Sequence, residues 1–140
     1  MNNVTSLVNE IIEGKGYVLI PEVLSPVQAE EARTLVLQLA DEERQQGKLL
    51  IDGNRERLYG LIYKGKIFEF MVQHPIVIEI IEAILGDDMT LAGASAHILH
   101  PGATSMGVHI DYPYFTMKSP FPSRPVMDIQ LIWMVEDFTE

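Results

Sequence analysis

The order in which helix and strand signals follow one another limits the folds open to this chain more than any other feature. Residues 1–88 carry mainly helix patterns, whereas residues 89–140 carry segments rich in small and branched side chains that are typical of strands. Helices first and strands later predict an α+β fold. A length of 140 residues fits one hydrophobic core, so we expect residues 1–140 to form a single domain.

The clearest local signal is a capped helix that begins after Ser25. Ser25 is a predicted N-cap, Pro26 takes the first helical position, and Gln28 completes a capping box. Gly47 is predicted to end this helix. Three further helices are predicted, over residues 4–14, 66–73 and 75–86. The last of them contains PIVIEIIEAIL, which is apolar on most of its circumference and is therefore expected to be largely buried.

Four segments are predicted strands because they are rich in small, branched and aromatic side chains. They are GYVLI at residues 16–20, MTLAGASAHIL at 89–99, VHIDY at 108–112 and VMDIQLIWMVEDF at 126–138. Side chains alternate along a strand, so the last segment is expected to place Asp128 and Gln130 on one face and Trp133 on the other. Four prolines between residues 113 and 125 predict a long irregular connection.

Composition excludes several classes of function. A formal net charge of −10 with scattered basic residues repels phosphate backbones, so we expect no nucleic-acid partner. The apolar runs are far shorter than the ~18–20 residues of a membrane span, and Glu10 and Glu13 stand where a signal peptide would be apolar. The chain has no cysteine, which excludes disulfides and thiolate metal sites. These features predict a cytoplasmic protein without a membrane partner.

His109 and Asp111 stand one residue apart within the predicted strand at 108–112. Residues i and i+2 of a strand point to the same side, so an imidazole and a carboxylate from this segment can bind one metal. Two histidines and one carboxylate hold iron(II) on one octahedral face and leave positions open for a co-substrate and dioxygen. Because the chain has four histidines, a single His-x-Asp pair is also a common accident of composition.

Four segments in chain order add a family resemblance to this pair. They are GYVLIPEVLSPVQAEEAR, HPIVIEIIEAILGDDMTL, ILHPGATSMGVHID and IQLIWMVEDFTE. Together they resemble the phytanoyl-CoA dioxygenase family of non-haem iron, 2-oxoglutarate-dependent oxygenases. The resemblance implies N-terminal helices packed on a double-stranded β-helix, a jelly-roll or cupin-like barrel, whose first strands lie in residues 89–140. It also implies hydroxylation of a small-molecule substrate, with Fe(II) as the metal and 2-oxoglutarate as co-substrate.

The resemblance assigns the family's two proximal iron ligands to His109 and Asp111. The family's distal histidine and its 2-oxoglutarate-binding arginine match no residue of this chain. The resemblance therefore implies that the chain is the N-terminal part of an oxygenase with an incomplete barrel. An incomplete barrel exposes sheet edges, so we expect either a truncated product or one piece of an assembly that a second chain or a homodimer completes. We expect the isolated chain to be inactive unless another chain completes it.

Five further residues are candidate ligand contacts. His97, Gln130 and Tyr112 are candidates for contact with the co-substrate, and Tyr114 and Arg57 for contact with the substrate. Each has a structural alternative as well. His97 can hydrogen-bond within a sheet, the tyrosines can pack on it, and Gln130 and Arg57 can simply be solvated.

Two other functions are open to the chain. It can be a non-catalytic binding or interaction module that retains the front half of the fold, with the His-x-Asp pair as a relic. Iron titration separates this alternative from the oxygenase. A small zinc hydrolase is disfavoured because catalytic zinc also normally needs three protein ligands.

Overall fold

The computed structural model describes residues 3–120 and 124–137, and they form an α+β structure. The four helices are α1 (Val4–Ile12), α2 (Pro26–Gln45), α3 (Lys66–Val72) and α4 (Pro75–Leu85). The three strands are β1 (Leu50–Asp52), β2 (Arg55–Tyr59) and β3 (Ser95–Leu99). Short 3-10 helices span Leu61–Tyr63 and Tyr114–Thr116. No helix in the part of the chain that the structure describes is long and apolar enough to cross a membrane.

The described residues form two compact units. The first unit combines residues 3–21, 72–90, 107–120 and 124–132, and the second unit combines residues 22–71, 91–106 and 133–137. Each unit is built from segments that are distant in sequence. The single domain over residues 1–140 and the double-stranded β-helix both stay predictions.

Helix α2 has the boundaries that its capping residues predict. The Ser25 hydroxyl accepts a hydrogen bond from the backbone N–H of Gln28, and the Gln28 side chain accepts one from the backbone N–H of Ser25. This reciprocal pair satisfies donors that a helix leaves unpaired at its first turn. The helix ends at Gln45, and Gly47 follows with φ of 67°, a left-handed conformation that favours glycine. The predicted capping box and the predicted end are both confirmed.

The second unit contains a β-hairpin that was not predicted. Strands β1 and β2 pair antiparallel with Asp52 opposite Arg55, so only Gly53 and Asn54 form the turn. Gly53 has φ of 57°, which a two-residue hairpin turn of this kind requires. A Gly-Asn pair between two short strands is a recognised hairpin signal. The charged residues around this pair are not typical of strands, so the hairpin was not predicted.

Strand β2 lies at the centre of the three-stranded antiparallel sheet, with β1 and β3 on either side. Its side chains alternate, so Glu56 and Leu58 are buried on the side facing α2, whereas Arg55, Arg57 and Tyr59 lie on the outer face. The hydrophobic core of this unit consists of Ala32, Val36, Ala40, Leu49, Leu58, Leu61, Ile67, Phe68 and Met71. The α2 positions recur every four residues, which is the spacing of one helix face.

Three predicted strands are wrong, and a fourth is shorter than predicted. Residues 16–20, 108–112 and 126–137 form no strand, and the strand predicted over 89–99 is restricted to Ser95–Leu99, where it pairs with β2. Residue 138 of the last segment lies outside the described residues. A strand needs a neighbour that pairs its N–H and C=O groups, and a pattern of branched side chains does not specify that neighbour.

Helices α3 and α4 were predicted within a residue of their ends, but the burial predicted for α4 is wrong. Only Val77 and Ile80 of α4 are buried, and its other apolar side chains are half-buried or exposed. The helix packs against α1, which is amphipathic and contributes no fully buried residue. A nine-residue helix covers only one side of its neighbour, which explains why the apolar circumference of α4 is only partly covered.

Candidate functional site

His109 and Asp111 lie close together in the first unit. Atom Nε2 of His109 is 3.9 Å from Oδ1 of Asp111, and the two side chains are 51% and 44% exposed. The segment between Gly107 and Tyr112 is irregular, so the strand geometry that suggested this proximity is absent. The two side chains nevertheless converge on one side of the backbone. Their role as metal ligands stays a prediction.

Two hydrogen bonds orient the pair. His109 donates from Nδ1 to the backbone carbonyl of Gly107 over 3.1 Å, which leaves the lone pair on Nε2. Gln130 donates from its side-chain amide to Oδ2 of Asp111, so Oδ1 is the carboxylate oxygen nearer the imidazole. A metal-binding histidine commonly donates its second N–H to a carbonyl in this way. The arrangement therefore presents one nitrogen and one oxygen donor together.

The chemistry of these two donors fits a first-row divalent metal. Bonds from such metals to imidazole nitrogen and carboxylate oxygen are about 2.0–2.2 Å long, so atoms 3.9 Å apart can both reach one ion. Within residues 3–120 and 124–137, no three His, Cys, Asp or Glu side chains converge into a larger donor group. The pair alone is thus two ligands, and the described residues supply no third.

The two tyrosines predicted near the site differ in environment. The ring of Tyr112 is 69% exposed and meets Phe115 edge to face at a centroid distance of 6.0 Å. The hydroxyl of Tyr114 accepts a hydrogen bond of 2.9 Å from the backbone N–H of Met127 and is partly buried. Tyr114 therefore joins the segment after His109 and Asp111 to the segment that carries Gln130. The predicted ligand contacts of both tyrosines stay predictions.

The other two predicted contacts lie in the second unit. Arg57 on β2 and His97 on β3 are directly opposite each other on the outer face of the sheet. They line a cleft of about 150 Å³, whose other lining residues are Leu50, Asp52, Arg55, Glu56, Leu99 and Met106. Partial burial and, secondarily, the positive charge of Arg57 lower the pKa of His97. Arg57, for which simple solvation was the structural alternative, is held on the central strand.

A buried ion pair on the inner face of the same sheet was not predicted. Glu56 is only 7% exposed, and its carboxylate accepts hydrogen bonds of 2.9 and 2.6 Å from Arg44 on α2. Nε2 of His100 is 3.2 Å from the same carboxylate. The hydrogen bonds from Arg44 lower the pKa of Glu56, with a further contribution from His100, and they outweigh the opposing effect of burial. The alternation of side chains along RERLY is the signal from which the burial of Glu56 could have been predicted.

The structure thus brings His109, Asp111 and Gln130 into direct contact or close proximity within the first unit. Tyr112 and Tyr114 belong to the same unit, whereas Arg57 and His97 belong to the second. The sequence analysis did not predict the two contacts that orient His109 and Asp111. The Gly107 carbonyl could have been suspected from the glycine two residues before His109, but the contact of Gln130 with Asp111 has no sequence signal.

The chain is similar to a protein named dioxygenase af480 from Aspergillus fumigatus. The two are 28% identical over 131 aligned residues, which cover 89% of this chain and 41% of that protein. The chain therefore spans about two-fifths of the length of this relative. No family model matches the chain, and no solved structure matches it significantly. At this identity and coverage, the comparison relates the chain to one part of a fungal dioxygenase.

Proposed function

We propose that this chain is part of a non-haem Fe(II), 2-oxoglutarate-dependent dioxygenase of the phytanoyl-CoA dioxygenase family. In this proposal His109 and Asp111 are two of its iron ligands. The observation that carries the proposal is the distance of 3.9 Å between His109 Nε2 and Asp111 Oδ1. A hydrogen bond at the other polar atom of each side chain holds it in place. The similarity to part of a fungal dioxygenase supports the same reaction class.

The chain's own residues have separable tasks in this proposal. The Gly107 carbonyl holds the imidazole of His109 in the tautomer whose Nε2 is free to bind a metal. Gln130 fixes the carboxylate of Asp111 so that Oδ1 remains available. Iron(II) with 2-oxoglutarate supplies the activation of dioxygen that an unactivated C–H bond requires. Tyr112 and Tyr114 follow the pair in the chain, and we propose that Tyr112 contacts the co-substrate and Tyr114 the substrate.

The proposal requires groups that the described residues do not contain. A third protein ligand and an anchor for the second carboxylate of 2-oxoglutarate are both needed. We propose that further polypeptide supplies them, either from the remainder of a longer oxygenase or from a second copy or partner chain that completes a barrel. The relative is more than twice as long as the stretch aligned with it, which supports this arrangement.

Metal titration with variants tests the ligand assignment. Mn(II) binds the same nitrogen and oxygen donors as Fe(II) and broadens the NMR signals of nearby amides, so it reports both affinity and place. We expect broadening around residues 107–112 that is lost in His109→Ala and in Asp111→Ala. His74→Asn and Asp128→Asn are matched controls. Asparagine is a favoured residue at an N-cap, which His74 occupies on α4.

The titration has one outcome that supports the proposal and two that contradict it. Loss of broadening in both ligand variants, with retention in both controls, supports a metal site at His109 and Asp111. Broadening that persists in His109→Ala and Asp111→Ala, or that maps to other carboxylates, would contradict it. The far-UV circular dichroism of each variant must match the unmodified chain, so that loss of binding is not loss of folding.

A second candidate function is a non-catalytic interaction module, and the two-ligand donor set favours it. A site with two protein ligands binds iron weakly and does not by itself support the oxygenase chemistry. The two proposed functions predict different activities for a chain that is joined to the rest of an oxygenase. The dioxygenase proposal predicts conversion of 2-oxoglutarate to succinate that Asp111→Ala abolishes, whereas the interaction module predicts no conversion.

A further inference from the structure

Arg57 differs from the other four arginines in having no acidic partner among the residues that the structure describes. The others form ion pairs, Arg33 with Glu136, Arg44 with Glu56, Arg55 with Asp52 and Arg124 with Glu13. Across residues 3–120 and 124–137, no carboxylate lies within ion-pair distance of Arg57, although the chain has 20 acidic residues. A fixed guanidinium without a carboxylate in so acidic a chain is a candidate binding group for an external anion.

The Arg57 side chain is held in place without being neutralised. Its Nη1 donates a hydrogen bond of 3.2 Å to the hydroxyl of Tyr59, and its guanidinium carbon lies 5.7 Å from the centroid of the Tyr59 ring. The ring contributes a cation–π attraction, which is compatible with retention of the full positive charge. A guanidinium has five N–H donors in a planar fork, so most of them remain for a ligand.

The cleft beside Arg57 combines this charge with apolar surface. Its volume is about 150 Å³. Leu50, Leu99 and Met106 line it and are each about half exposed. His97 lies directly opposite Arg57, and its lowered pKa keeps the imidazole neutral near pH 7, so it can exchange a hydrogen bond without adding charge.

The acidic residues of the cleft do not cancel the charge of Arg57. Asp52 pairs with Arg55 at 3.4 Å, so these two charges offset each other. Glu56 is turned to the inner face of the sheet, where Arg44 and His100 hold it. The remaining positive charge in the cleft is that of Arg57.

We propose that this cleft binds the carboxylate of a small amphipathic organic acid. The guanidinium of Arg57 takes the carboxylate through paired N–H···O bonds, a geometry for which the two groups are matched. The hydrocarbon part of the acid lies against Leu50, Leu99 and Met106. The whole chain has a net charge of −10, which disfavours unspecific binding of anions, so recognition depends on this local site. The proposal concerns the second unit alone and does not depend on iron binding at His109 and Asp111.

The test uses octanoate as a probe of this chemistry and octanol as its neutral counterpart. Both are titrated into the unmodified chain at pH 7 below their aggregation limits, and binding is followed by NMR shifts. We expect saturable shifts on β2 and β3 for octanoate. Octanol should bind at least roughly tenfold more weakly, because it lacks one charge-assisted hydrogen bond. This comparison needs no variant and therefore no assumption about variant folding. Equal binding of the two probes, or no saturable binding of octanoate, overturns the proposal.

Variants then assign the charge to one residue. Arg57→Gln is expected to weaken octanoate binding roughly tenfold, whereas the control Arg33→Gln, on α2 of the same unit, is expected to leave it unchanged. Arg57→Lys retains the charge without the planar fork and should bind with intermediate affinity. Equal weakening by Arg33→Gln, or no weakening by Arg57→Gln, contradicts the assignment. Titration with 2-oxoglutarate completes the series, and binding of this dianion as tight as that of octanoate overturns the requirement for an apolar tail.

Discussion

Arg44 and Glu56 are joined by two hydrogen bonds of 2.9 and 2.6 Å that connect the end of α2 to the central strand of the sheet. Glu56 is buried and Arg44 is partly exposed, so the pair extends from the core to the surface. A buried carboxylate stays ionised only where donors replace the water that it has lost. This contact therefore contributes to holding helix and sheet of the second unit together.

Removal of the Glu56 charge should destabilise the protein. In Glu56→Gln the amide keeps the size of the side chain but loses the charge-assisted hydrogen bonds from Arg44. We expect the free energy of unfolding to fall by about 1–3 kcal/mol. Urea denaturation measures this change. Glu69→Gln is the matched control, because Glu69 forms an exposed ion pair with Lys66 and should change stability by about 0.5 kcal/mol at most. Equal effects of the two substitutions would contradict a special role for Glu56.

The same contact predicts a pH dependence of stability. The pKa of Glu56 is lowered below its usual value of 4.5, so the folded state binds the proton less readily than the unfolded chain does. The stabilisation is then complete above about pH 4.5 and is lost as the pH falls through the lower pKa of the folded state. The difference in unfolding free energy between the unmodified chain and Glu56→Gln should shrink below pH 4.5. Denaturation curves that show a constant difference down to pH 3, a pH roughly 1–2 units lower, would refute this prediction.

Gly53 should be sensitive to substitution because of its backbone conformation. Its φ is 57°, and a Cβ added there meets no atom within 4 Å, so any cost of Gly53→Ala comes from the backbone and not from a clash. We expect a loss of about 1 kcal/mol. Gly93 has equally open surroundings without a positive φ, so Gly93→Ala should be neutral or stabilise by up to about 1 kcal/mol. Thermal denaturation of both variants tests the contrast, which vanishes if the hairpin turn does not require the left-handed conformation.

The helices could be predicted from the sequence because their signals are local. The capping box of Ser25 and Gln28 requires only residues three apart, and the structure contains both of its hydrogen bonds. The strands could not be predicted to the same degree. Residues 108–112 have strand-like side chains but no paired neighbour, whereas β2, with three charged residues in five, is a strand because β1 and β3 flank it. Pairing is a tertiary property, and propensity alone does not specify it.

In the candidate site, too, the sequence predicts the local feature but not the contact between distant segments. The spacing of His109 and Asp111 predicted that an imidazole and a carboxylate would be near each other, and they are 3.9 Å apart. The group that orients the carboxylate could not be found in this way. Gln130 follows Asp111 by 19 residues, across a proline-rich segment, and no local pattern relates an amide to a carboxylate over that distance. The cleft around Arg57 and His97 likewise depends on the register of β2 with β3.

Gln130 should therefore affect metal binding without being a ligand. Its amide donates to Oδ2 of Asp111, and a group that orients a ligand in this way is commonly worth tenfold or more in metal affinity. In Gln130→Leu the donor is lost while much of the side-chain volume remains, and we expect Mn(II) to bind roughly tenfold more weakly at His109 and Asp111. Gln38→Leu, which removes a side-chain hydrogen bond to Glu42 on α2, should leave the affinity unchanged. The measurement is the Mn(II) concentration that half-broadens the amides of residues 107–112. Equal concentrations for Gln130→Leu and the unmodified chain would mean that Asp111 is oriented by other contacts, because the carboxylate would then bind equally well without its amide donor.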